Sequence, residues 1–118
     1  MSIQRISVTP RLAGAVVHNG LAWLSGQVPD DRSQDCAGQT RQVLAKIDAL
    51  LAQAGSDKSK LLSAQIWLKD INRDFAAMNE AWSAWLPEGC APARATIQAD
   101  LASADVLVEI MVTAAVRD

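Results

Sequence analysis

Arg94 stands in the run Ala91-Pro92-Ala93-Arg94-Ala95-Thr96-Ile97, a single charge among small and apolar residues. A guanidinium stays cationic at any working pH, and its planar fork can grip a carboxylate through two parallel hydrogen bonds. Pro92 fixes its own φ and biases Ala91 toward extended geometry, so the chain enters a strand stiffly just before the arginine. The same proline also reads as an ordinary strand start. Glu109 lies inside the apolar run Val106 to Val116, where a carboxylate can orient or deprotonate a water. If Ala93 to Ala99 and Val106 to Val116 pair as an antiparallel hairpin with their core faces aligned, Arg94 falls opposite Met111 and Thr96 opposite Glu109. Arg94, Thr96, Gln98 and Glu109 then share the sheet face that helices leave open. Such a constellation suits a small anionic substrate. The two charges can equally pair with each other across an interface.

Few other residues offer chemistry. Gly26, after Ser25, either lets a ligand approach the backbone or simply makes a turn. His18 is the single histidine, between Val17 and Asn19, and any Ser-His-Asp or Cys-His pair would have to use it; a strand-end or turn role needs nothing further. Cys36 and Cys90 match no metal or disulfide spacing and read as ordinary thiols. A zinc site would need more nitrogen and sulfur ligands, and no glycine-rich phosphate loop is present. No metal or cofactor is expected. Eleven Lys and Arg against thirteen Asp and Glu give a formal net charge of -2, with the cations scattered from Arg5 to Arg117. That distribution argues against a nucleic-acid partner. The N-terminus lacks the apolar core of a signal peptide, and no run of about 18 apolar residues occurs, so a cytoplasmic protein without a membrane partner is expected.

The elements that must position these residues follow from periodicity. A chain of 118 residues, half of them apolar, can bury one core without disulfides, so 1–118 reads as a single domain. Ala15 to His18 and Leu21 to Ser25 read as strands around an Asn19-Gly20 turn. From Cys36 to Ala54, the apolar residues Val43, Leu44, Ile47, Leu50 and Leu51 fall on one helical face, with Gly55 where a helix-ending glycine would sit. Leu61 to Lys69 alternates with period two, which predicts a strand. Asn72 can cap a second helix whose core face carries Phe75, Met78, Trp82 and Trp85. Ala93 to Ala99 and Val106 to Val116, joined by the loop Asp100 to Asp105, complete the set. Two helices and five or six strands predict a two-layer α+β domain, with both helices on one face of the sheet. The other face would then expose Trp67, Leu107 and Met111, and an apolar patch of that kind predicts a homo-oligomer closing sheet against sheet.

The residues of interest also carry a resemblance that spans nearly the whole chain. Ser25-Gly26-Gln27-Val28-Pro29, then Gln39-Thr40, Trp67-Leu68-Lys69-Asp70-Ile71 through Phe75-Ala76-Ala77-Met78-Asn79, Ala91-Pro92-Ala93-Arg94 and Val108-Glu109-Ile110 resemble, in order, the reactive intermediate deaminase (Rid, or YjgF) family. The resemblance implies a chorismate-mutase-like α+β fold assembled as a homotrimer with clefts between subunits. It further implies a 2-iminobutanoate/2-iminopropanoate deaminase-like hydrolase without cofactor or metal. Such an enzyme converts 2-imino acids and their enamine tautomers, such as 2-aminoacrylate, to 2-keto acids and ammonia. By that likeness Arg94 binds the substrate carboxylate, Glu109 positions the attacking water, the backbone at Thr96 contacts the substrate nitrogen region, and Ser25 and Gly26 line the cleft. The founding branch has a tyrosine in the strand before Ser25 and a cysteine at the position of Thr96; this chain has no tyrosine and offers Ala15, Val16 or Val17 there. A non-catalytic module that holds small carboxylates or serves a stress response in the same cleft is the alternative. Nucleic-acid cleavage, a third reading, is opposed by the acidic balance.

Overall fold

A computed structural model describes residues 2–116. The chain runs β1 (Gln4–Val8), β2 (Ala13–His18), β3 (Leu21–Leu24), α1 (Cys36–Gln53), β4 (Leu61–Leu68), α2 (Ile71–Trp85), β5 (Ala93–Gln98) and β6 (Val108–Ala115), with a short 3-10 turn at Lys58–Lys60. One six-stranded sheet is ordered β1-β2-β3-β6-β4-β5. Both helices pack on one side of it, giving two α+β layers. The first strand, Gln4–Val8, has a polar, mostly exposed sequence and escaped the apolar reading; only Ile6 of its residues is buried. The hairpin between β2 and β3 turns at Asn19 and Gly20, whose φ of 52° and 78° are the pair of positive angles that a tight two-residue hairpin requires.

The core lies between the helices and the even-numbered face of β4 and β6. Ile66 and Leu68 from β4, with Val108, Ile110 and Val112 from β6, meet Val43, Leu44, Ile47 and Leu51 of α1 and Met78 and Trp82 of α2. Each of these aliphatic side chains contributes about 1.5–3 kcal/mol by leaving water. The helix starts are capped by carboxylates. Asp35 accepts from the Gly38 amide for α1, and Asp70 from the Arg73 amide for α2. The cap of α2 is therefore Asp70 rather than Asn72, and Phe75 lies outside the buried stripe of Asp74, Met78, Ala81 and Trp82, where it is 42% exposed. Asp74 takes the inward position and is satisfied by two hydrogen bonds from the Arg73 guanidinium, at 3.1 and 2.8 Å.

The expected hairpin between the last two strands does not form. β5 pairs with β4, in parallel, and β4 in turn pairs antiparallel with β6, so β4 lies between them. The reason is the order strand, helix, strand: a helix between β4 and β5 returns the chain to lie alongside in the same direction. The connection from β5 to β6 then passes over the end of β4, where the Ala99 amide donates to Leu68 O and the Lys69 amide to Leu107 O. Register follows. Arg94 aligns with Ala64 and through it with Val112, while Thr96 aligns with Ile66 and Ile110. Arg94, Thr96 and Gln98 thus face the helix side, and Glu109, aligned with Trp67 and Ile97, faces the open side. An even shift in place of an odd one moved a whole strand's side chains to the other face.

The open face is apolar where exposed. Trp23, Met111 and Ile97 are each more than 40% exposed there, with Trp67 half-buried beside them. Leu107 instead packs against the core cluster and adds little to the patch.

Candidate active site

Two groups of candidate side chains emerge, and a single chain keeps them apart. The first is built around the loop that leaves β3. The Gln27 amide donates to Ile110 O at 2.8 Å and the Ile110 amide to Gln27 O at 3.1 Å, so the loop is stitched to β6 beside Glu109. Ser25 is fixed from the other side: its amide donates to Gly14 O and its hydroxyl to Ala13 O. Its hydroxyl is thereby occupied. Gly26 lies directly under the Glu109 carboxylate, and a methyl group there would overlap Oε2.

Glu109 itself makes no hydrogen bond or ion pair among the described residues, although Gly26 and the neighbouring strands partly shield it. Burial pushes its carboxyl above the ordinary value of 4.5. A carboxylate that is short of solvent and has no protein donor is a hungry acceptor, which is what a water-activating base must be. Gly26→Ala tests how tightly this pocket is drawn. Gly26 has no positive φ, so the backbone accepts alanine, and the flexible carboxylate swings aside. Stability should move by less than about 1 kcal/mol, while a reactive group displaced by roughly 1 Å loses about 10²-fold in turnover. Urea titration beside steady-state kinetics checks both.

The second group is Arg94 with Thr96 on β5, the edge strand. Arg94 is exposed and takes part in no hydrogen bond or ion pair among the described residues; its Cζ stands 5.6 Å over the ring of Trp82 on α2. Thr96 Oγ1 is buried without a hydrogen-bond partner among those residues. Gln98, the third member of the expected constellation, is engaged elsewhere: its Oε1 accepts from the Ile71 amide and helps to start α2. Two strand spacings and three residues of offset put about 14 Å between the Arg94 and Glu109 backbones, on opposite faces. They form no pair within one chain.

The remaining candidates have structural roles. His18 ends β2 with Nδ1 3.2 Å from Ser2 O. Cys36 is buried at the start of α1, its thiol pushed up to about 11 by burial and by the Asp74 charge, which leaves it inert as a nucleophile. Gln39, which sequence reading did not single out as structural, is fully buried. Its Nε2 donates to the carbonyls of Arg32, Gln34 and Asp105, and its Oε1 accepts from the Leu107 amide, clamping two loops to α1. A glutamine on the apolar side of a helix was the available signal. A cavity of about 440 Å³ beside Ser25 and Gly26 is lined also by Leu12, Lys46 and Leu50 on the helix side, away from Glu109.

With this geometry in view, comparison with known proteins is decisive. The family model described as Endoribonuclease L-PSP matches residues 2–116. The RutC family protein YoaB of Escherichia coli K12 is 47% identical over 116 residues, covering 98% of this chain and 100% of its own. The chain belongs to the Rid/YjgF family. A crystal structure of a YjgF-family member from Neisseria meningitidis superposes with a TM-score of 0.96 at 47% identity, covering 100% of this chain and 98% of that one. The Rid-family protein YyfA of Yersinia pestis, described as of unknown function, gives 0.88 at 31% identity over 98% of this chain and 100% of its own. The Rid/YjgF superposition takes in the whole of this chain, the interposed β4 included. No helix among the described residues of this family member is long and apolar enough to cross a membrane.

Proposed function

We propose that this Rid/YjgF chain hydrolyses 2-imino acids and their enamine tautomers to 2-keto acids and ammonia. The observation that carries the reading is Glu109, a shielded carboxylate without a hydrogen-bond or ion-pair partner among the described residues, seated over a glycine that leaves room for it. The separation of Arg94 from Glu109 favours a site completed by two chains, Arg94 and Thr96 of one facing Ser25, Gly26 and Glu109 of the next. The exposed apolar face with Trp23, Met111 and Ile97 supports closure into a homotrimer. Sedimentation at micromolar concentration should give three times the 12.6 kDa chain; a monomer would remove the shared cleft.

The chemistry asks little of the protein. Arg94 grips the carboxylate and fixes the adjacent C=N carbon before a water held by Glu109. As the water oxygen bonds to that carbon, its proton passes to Glu109 and the C=N π pair takes a proton from solvent at nitrogen, giving a 2-amino-2-hydroxy acid. The C–N bond then breaks, ammonia leaves with the proton returned by Glu109, the hydroxyl gives its own proton to solvent as the C=O forms, and the 2-keto acid remains. An imine is already an electrophile, so orientation and general-base help suffice without a resident cofactor.

The test generates imines in place with an amino-acid oxidase and follows keto-acid release. The protein should accelerate release from small aliphatic imino acids. Absence of acceleration, together with a melting temperature raised by keto acids, would instead support a carboxylate-binding module.

A further inference from the structure

Arg94 lies on a strand with no neighbour on its outer side, between exposed Ala93 and Ala95, so its own strand gives its fork no wall to rest on. What lies against it is Trp82, only 4% exposed, with the guanidinium carbon 5.6 Å from the ring centre. That is within the range of cation–π attraction. The Trp82 ring in turn stands 5.5 Å from Trp85, tilted by 45°. Trp85 donates its Nε1 hydrogen to Asp48 of α1 at 3.0 Å, and Lys58 Nζ lies 5.4 Å over its ring. A cation thus stands at each end of an indole pair, and the pair is moored to α1.

From this arrangement we infer that Trp82 is a positioning residue for Arg94, and the inference rests on the reading of Arg94 as the carboxylate anchor. A carboxylate partner would also hold an arginine still, but it would occupy the N–H groups that the substrate needs. An aromatic ring attracts the cation through its π face and consumes no hydrogen-bond donor. The indole pair therefore orients the guanidinium while its donors stay available. A ring at this position also selects arginine over lysine, because a planar guanidinium can stack where an ammonium cannot.

Trp82→Leu and Trp82→Phe, with folding checked by circular dichroism, test this by steady-state kinetics on imines made in place and by calorimetry with pyruvate. The loss belongs to binding in ground and transition states alike. Trp82→Leu should therefore raise KM and the pyruvate Kd about fivefold and leave kcat within about twofold. Trp82→Phe, which keeps a ring with a weaker quadrupole, should confine the rise to about twofold. Unchanged KM and Kd in both variants overturns the inference, as does a fall in kcat at constant Kd. If Trp82→Leu does not fold, Trp82→Phe decides alone, and an unchanged Kd overturns. A wild-type protein that binds no keto acid refutes the anchor itself, whereas binding lost in Arg94→Ala but kept in full by the Trp82 variants refutes only the platform.

Discussion

Replacing Arg94 by alanine should lower kcat/KM for a 2-imino acid by about 10²-fold while leaving the fold intact. A charge-assisted, two-point grip on a carboxylate is worth about 1.5–3 kcal/mol per hydrogen bond to a charged group, so losing both bonds readily removes two decades. The protein loses little in exchange. Arg94 is exposed and its only described contact of note is the Trp82 ring, so the stability cost is about 0.5–1 kcal/mol. Keto acids should raise the melting temperature of the wild type and leave that of the variant unchanged. Steady-state kinetics and a thermal shift with pyruvate measure the two effects; equal kcat/KM in both proteins would sink the anchor. Arg94→Lys should recover only part of the loss, because a point charge cannot supply the planar fork.

Glu109→Gln should reduce kcat by about 10²–10⁴-fold, the usual contribution of a general base. It should also make the protein more stable at neutral pH, and the sign follows from the raised carboxyl. Burial raises the folded-state value above that of the unfolded chain, so folding favours the protonated form. The stability contributed by that proton is present below the ordinary value of 4.5 and is lost as the pH rises through the folded value. At neutral pH the charged Glu109 is therefore a burden, which an isosteric amide removes. The expected activity runs the other way: with Glu109 as the proposed base, kcat/KM should rise with pH as its carboxyl loses its proton, with a midpoint above 4.5, and that limb should disappear in Glu109→Gln. Melting curves and a pH–rate profile on the two proteins decide. A variant that is less stable at neutral pH, or that keeps the limb, would contradict this account of Glu109.

Much of the fold was legible because it is set by local periodicity. The face of α1 through Val43, Ile47 and Leu51, the alternation of β4 from Ala64 onward and the Asn19-Gly20 turn each depend on near neighbours in the chain and appear where their patterns lie. A register shift between Leu61 and Ser63, by contrast, buries Leu61 and exposes Leu62, which the alternation placed in the core. Phe75 misled because the buried stripe of α2 runs through Asp74, Met78, Ala81 and Trp82, which leaves Phe75 at its rim. The chemistry-bearing residues were legible as types: an arginine led in by a proline, a glutamate in an apolar strand, a glycine after a serine.

What their types could not reveal was who faces whom. Sequence by itself determined that Arg94 and Glu109 sit on strands and that the sheet has an apolar, helix-free side. Only the tertiary structure decided that β4 runs between those strands: the strand-helix-strand order lets β5 lie parallel to β4, but which strand then takes β4's other edge depends on pairings distant in the chain. Alternation has a period of two, so that one insertion turned Arg94 toward Trp82 and left Glu109 over Gly26 on the opposite face. Two residues that read as neighbours on one face stand on opposite faces of the sheet, with β4 between their strands.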